Sequence, residues 1–125
     1  MIDERNVVYL TVPYPEASSA LSKIAHMYIC AEKVSATKRL VKCQSYKFGV
    51  IGQTSKYLIE QPDISRNPFD RITLIDCGKL FVTADAIPKN RLHKTRPDIC
   101  AELHDAIKAT LGNPVKVKFH IYAAR

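Results

Sequence analysis

The sequence predicts a mainly β fold, a small and strongly curved β-barrel decorated by one helix near its C-terminus. Three observations carry that expectation. Several short β-branched runs are separated by turn residues, a single amphipathic helical pattern comes late, and the chain ends on a stretch alternating apolar with basic residues. At 125 residues the chain fits one domain, 1–125, with one core that needs no disulfide or metal staple.

Asn6 to Val12, "NVVYLTV", is β-branched and aromatic and stops at Pro13-Tyr14-Pro15, which makes it a first strand. Residues 16–24, "EASSALSKI", read as a loop or a short helical turn. Met27 to Ala31 forms a second strand closed by Glu32-Lys33, with His26 at its mouth. Arg39 to Phe48 alternates and ends before Gly49, a third strand. The stretch from Gly52 to Arg71 carries two prolines and several charges and reads as a long surface excursion, a common seat of function. Ile72 to Val82 is a further strand, broken or bulged at Gly78.

The helix expectation rests on Thr95-Arg96-Pro97-Asp98, which sets a cap, an early proline and an N3 acid ahead of "ICAELHDAIKATL". Ile99, Leu103, Ala106, Ile107 and Leu111 make one apolar stripe, and Gly112-Asn113-Pro114 ends it. His104 falls off that stripe and reads as a solvated helix residue. The last segment sets Val115, Val117, Phe119 and Ile121 against Lys116, Lys118, His120 and Tyr122, an extra C-terminal strand with one basic face. A solvated, aggregation-resistant edge explains such a face a little better than a phosphate-tracking surface does. About five to seven strands are expected in all.

Nineteen Lys and Arg against twelve Asp and Glu give a net charge of +7, which favours an anionic partner such as nucleic acid. Cys30, Cys43, Cys77 and Cys100 are scattered through apolar segments and read as small buried hydrophobes. No apolar run is long enough to span a membrane, and the acidic N-terminus does not resemble a signal peptide, so no membrane and a cytoplasmic location are expected. Phosphate loops, zinc-ligand clusters and nucleophile elbows are missing, so no metal and no cofactor are expected. An enzyme here is expected to be metal-independent, and a ribonuclease of that kind lets the RNA attack itself. A base takes the 2′-OH proton, an acid protonates the leaving 5′-oxygen and cations stabilise the phosphorane.

The order "NVVYLTVPYP", a small-residue loop, "AHMYIC" and then "RLVKCQSYK" resembles the MazF/PemK (Kid-like) toxin family. "TLIDCGKLFV" followed by "RPDICAELHDAIKATL" resembles that family's late strand and terminal helix, and the interval from His26 to Ser45 also fits. The likeness covers most of residues 6 to 112. It implies a compact SH3-like barrel of the MazF/CcdB-like kind, usually homodimeric, that cuts single-stranded RNA and is held inactive by an antitoxin protein.

Carried over residue by residue, Ser45 matches the family's hydroxyl position and Gln44 lies beside it. Ala25 and His26 fall where the family has its catalytic arginine and the following proline. That departure leaves three outcomes. His26 takes over proton transfer, with Ser45 at the scissile phosphate; Lys23, Lys38 or Arg39 supplies the charge; or the chain has become a non-catalytic barrel that binds nucleic acid or a protein partner. Lys47 and Thr54 would add RNA contacts. Arg66 and Arg71, flanking Pro68-Phe69, would grip a base and its phosphates with Phe69 or Tyr57 stacking. An aromatic that pins the loop to the barrel is the favoured alternative for that last element.

Overall fold

Alternation along each strand decides which way its side chains face, and both faces of this sheet turn out to be buried. The structure, a computed structural model, describes residues 2–11, 25–46 and 56–121. The expected loop at 16–24, the strand ends at Val12, Lys47 and Phe48, and Tyr122 lie outside the described residues. The fold is mainly β, with one helix towards the C-terminus. Its strands are β1 (Val7–Leu10), β2 (His26–Val34), β3 (Thr37–Ser45), β4 (Tyr57–Glu60), β5 (Thr73–Thr83) and β6 (Val115–Lys118), with helix α1 (Ala101–Leu111). They form one six-stranded sheet in the order β1-β2-β3-β5-β4, with β6 also beside β5. Every pair is antiparallel except β5 with β6, which is parallel.

On one face Val7, Ile29, Val41, Cys43 and Ile75 pack under Leu103, Ile107 and Leu111 of the helix. On the other, Val8, Tyr28, Cys30, Leu40 and Phe81 enclose a second core with Ile87 and Phe119. Tyr28 and Phe119 each meet the Phe81 ring edge-on. All four cysteines are free and buried within these cores. Burial pushes the Cys30 and Cys77 thiols up to about 12 and raises that of Cys43 as well, so they serve as packing groups.

Two irregularities shape the sheet. Between Cys30↔Leu40 and Glu32↔Arg39, β2 advances two residues while β3 advances one, so Ala31 is a bulge. Between Lys42↔Asp76 and Leu40↔Phe81, β3 advances two residues while β5 advances five. The excess falls around Gly78, whose N–H is taken by the Asp76 carboxylate at 2.8 Å. There β5 also changes partner along one edge, from β4 at residues 73–76 to β6 at residues 79–82. The expected break at Gly78 is thus a bulge within one continuous strand.

Three expectations need correction. The excursion from Gly52 to Arg71 contains β4, whose Tyr57–Glu60 backbone pairs with Thr73–Asp76. Glu32 and Lys33 do not close the second strand, because the hairpin turn comes later at Ser35-Ala36. Nor does the helix start at Thr95. Cys100 is its N-cap, its Sγ accepting from Leu103 N–H at 3.4 Å. The capping-box residues are spent on β1 instead: Pro97 O accepts from Val7 N–H and Ile99 N–H donates to Arg5 O. With bridges Val8↔Leu92 and Asn6↔Asp98, residues 92–99 run along the outer edge of β1. At the other end Gly112, with φ +57, terminates the helix in a conformation open to glycine.

His104 is the fourth correction. Far from solvated, it is 7% exposed, and its Nε2 lies 2.8 Å from the carbonyl oxygen of Ala31. Glu4 Oε1 stands 3.7 Å from the same nitrogen.

Candidate functional site

Three strand ends and one crossing loop make a cleft of about 450 Å³. β2 opens with His26, β3 closes with Gln44 and Ser45, and β5 begins at Thr73, opposite Ser45. The loop before β5 lays Phe69, Asp70 and Arg71 across these ends, and Tyr9 of β1 completes the wall. His26 pairs with Leu10 and Tyr9 with Met27, so the first two strands reach the cleft in register.

The crossing loop is held by a buried knot. Asn67 is fully buried, and its Nδ2 donates to Glu60 Oε2 at 2.8 Å and to Gln61 O at 3.0 Å. Its Oδ1 accepts from Phe69 N–H at 3.0 Å. Arg66 adds a hydrogen bond from Nε to Glu60 Oε2 at 2.8 Å. Phe69, 6% exposed, fills the core beneath. Phe69 thus pins the loop, the favoured of the two readings of that aromatic. Arg66 ties β4 to the loop, with its guanidinium engaged by Glu60.

Of the residues singled out in the sequence, His26, Gln44, Ser45 and Arg71 meet in the cleft. Ala25 lines it too. Lys23, Lys47 and Thr54 lie outside the described residues. Lys38 and Arg39 do not reach the cleft, because they sit at the far end of β3 from Ser45. Lys38 is 1% exposed and donates from Nζ to Ala36 O at 2.8 Å, so it is no surface contact. Arg39 faces Glu32 at 3.4 Å in a separate hollow with Lys108 and Lys116. Its Nε is buried with no hydrogen-bond partner among the described residues.

His26 is half-buried, and its Nε2 is likewise buried and unpartnered among the described residues. Burial, reinforced by the positive charge of Lys42, holds its pKa below the ordinary histidine value. It is therefore a neutral imidazole at pH 7. Arg71 is the cleft's guanidinium; it stands 3.6 Å from Asp70, and both side chains are largely exposed. That pairing leaves the cation open to a stronger anion.

Sequence reasoning missed Tyr9, Asp70 and Thr73 of the lining, and His93 behind it. The Tyr9 and His93 rings lie 5.4 Å apart at 32°. Burial, followed by the nearby Asp70 carboxylate, raises the Tyr9 pKa and keeps the phenol protonated. A weak signal for Tyr9 existed, since it is the polar-tipped residue between Val8 and Leu10 in an alternating run. Nothing in the sequence placed His93 beside it.

Among the described residues no three His, Cys, Asp or Glu side chains cluster to hold a metal ion, and no helix is long and apolar enough to cross a membrane. Comparison with protein-family models, curated proteins and solved structures finds no match to this chain.

Proposed function

We propose that the chain is an endoribonuclease toxin of the MazF/PemK kind, an SH3-like barrel that cleaves single-stranded RNA through its own 2′-OH without a metal ion. The observation that carries this reading is the convergence in one cleft of a neutral imidazole, its Nε2 without a partner among the described residues, with a hydroxyl, an amide and a guanidinium. His26 takes the 2′-OH proton, and the freed oxygen attacks the adjacent phosphorus. Arg71 and the Ser45 hydroxyl hydrogen-bond the non-bridging oxygens as charge builds on the phosphorane. The P–O5′ bond breaks, the leaving oxygen is protonated from solvent at the open mouth, and a 2′,3′-cyclic phosphate and a 5′-OH remain. Arg71 fills the electrostatic role of the arginine that Ala25 lacks, from a different strand end. On this reading an antitoxin protein occupies the cleft in the inhibited state, and the active form is a homodimer in the cytoplasm.

Ala25 in the cleft wall favours a second reading, a non-cleaving nucleic-acid-binding barrel. One assay separates the two. Labelled single-stranded RNA incubated with the protein in EDTA gives cyclic-phosphate ends under the first reading and a shifted but intact strand under the second. His26→Ala abolishes cleavage while leaving binding; full cutting by that variant rejects the assignment of the base.

A further inference from the structure

We infer that Tyr9, backed by His93, is a stacking platform for one nucleobase of RNA lying in the cleft. The inference rests on the RNA reading above and names the part of the site that holds a base rather than the phosphate. Tyr9 departs from its surroundings: its strand neighbours Val8 and Leu10 are buried, yet Tyr9 is 40% exposed and lines the cleft. The contrast with Tyr28 is instructive. That tyrosine is 1% exposed and packed edge-on against Phe81, as a ring serving only the core should be.

The ring of Tyr9 is also held in place. His93 lies against it, centroids 5.4 Å apart and 32° from parallel, while His93 is not part of the cleft wall. Two hydrogen bonds fix His93 in turn. Its backbone N–H donates to Val7 O at 2.9 Å, and its Nδ1 accepts from Thr95 N–H at 3.1 Å. With Nδ1 so engaged the neutral tautomer carries its proton on Nε2, and burial lowers the His93 pKa, which preserves that form. An aromatic surface ordered before binding loses little conformational entropy when a base settles on it. Beside it Gln44 offers an amide donor and acceptor suited to a base edge, and Arg71 offers a phosphate contact.

The chain has no tryptophan, so Tyr9→Trp gives a single indole reporter in the proposed platform. The probe is a single-stranded 2′-O-methyl RNA oligonucleotide of mixed sequence, which lacks the attacking hydroxyl and cannot be cut. Its addition should quench the indole fluorescence of the Tyr9→Trp variant. A Val34→Trp variant, its indole at the far end of β2 from the cleft, should stay bright. Tyr9→Phe should bind as the parent does, and Tyr9→Ala about five- to 150-fold more weakly, the usual loss of one stacked base. Unquenched emission from a Tyr9→Trp variant that binds the oligonucleotide, or wild-type affinity in a folded Tyr9→Ala variant, overturns the platform even if the parent cuts RNA. Quenching with a parent that cuts no RNA upholds the platform and rejects the nuclease. A protein that neither cuts RNA nor binds the oligonucleotide overturns both.

Discussion

The Nε2 nitrogen of His104 lies 2.8 Å from the carbonyl oxygen of Ala31, the bulge residue of β2. A bulge frees a backbone group from its ladder, and burial then demands another partner for it. The helix supplies that partner through a side chain. Replacing His104 with leucine keeps the volume roughly but strips the carbonyl of its donor. The expected loss is about 1–3 kcal/mol of stability, the cost of an unsatisfied buried acceptor. Urea denaturation of His104→Leu against the parent measures it, and an unchanged midpoint would mean that the bond is dispensable.

Asn67→Asp tests the knot beneath the cleft. The substitution exchanges a donor amide for a carboxylate 2.8 Å from Glu60 Oε2, in a fully buried position. About 2–4 kcal/mol of destabilisation is expected near pH 7. The gap to the parent should narrow as the pH falls towards the carboxylate range and the two acids share a proton. A pH series of melting temperatures for both proteins shows whether it does.

Arg71 and Arg66 should separate function from structure. Arg71→Ala removes a largely exposed cation and should leave the melting temperature unchanged, while RNA cleavage falls about 100-fold or more. Arg66→Ala should act the other way, lowering stability by depriving Glu60 of its charged partner, with the surviving folded protein still able to cut. Initial cleavage rates and melting curves on the same two preparations decide this. Equal cutting by Arg71→Ala and the parent would remove Arg71 from the site.

Acid should weaken the fold earlier than carboxylates alone predict. His26 and His93 both hold protons less tightly when folded than when unfolded, through burial and, for His26, Lys42. Above the ordinary histidine value of about 6.5 both are neutral in either state, so their contribution to stability is complete. As the pH drops through that value the unfolded chain takes up protons first, and stability is lost until the folded groups also titrate. Urea midpoints between pH 8 and 5 should therefore fall, and fall less in a His26→Gln, His93→Gln double variant. The cleavage rate, if His26 is the base, should hold its plateau to a pH below about 6.5.

How much of this could be read from the sequence depends on how local the cause was. His26 at the head of β2 and the stop at Gly112 follow from runs of neighbouring residues, and both were legible, whereas the third strand was read on to Phe48, past Ser45 where β3 ends. The helix start was not. Thr95 to Asp98 carries a capping-box pattern, but the Pro97 carbonyl and the Ile99 N–H are claimed by β1 and the residues just before it, about 90 positions away. His104 was misread for the same reason, because a helical stripe carries no record of a bulged carbonyl on another strand. Tyr9, Asp70 and His93 come together only through tertiary packing. Lys38 and Arg39, next to Leu40 in sequence, were drawn towards Ser45, though an extended strand carries them some 20 Å away at about 3.3 Å per residue.

The backing of β1 by residues 92–99 bears on how the protein is made. β1 leaves the ribosome ahead of the other described strands, yet its outer edge is among the last to be covered, since the partners there emerge more than 80 residues later. Until then a nascent chain presents Val7 to Leu10 as an open, apolar template for any strand nearby. A chain truncated before Leu92 keeps that exposure permanently, and it should collect in inclusion bodies rather than persist as a smaller folded protein.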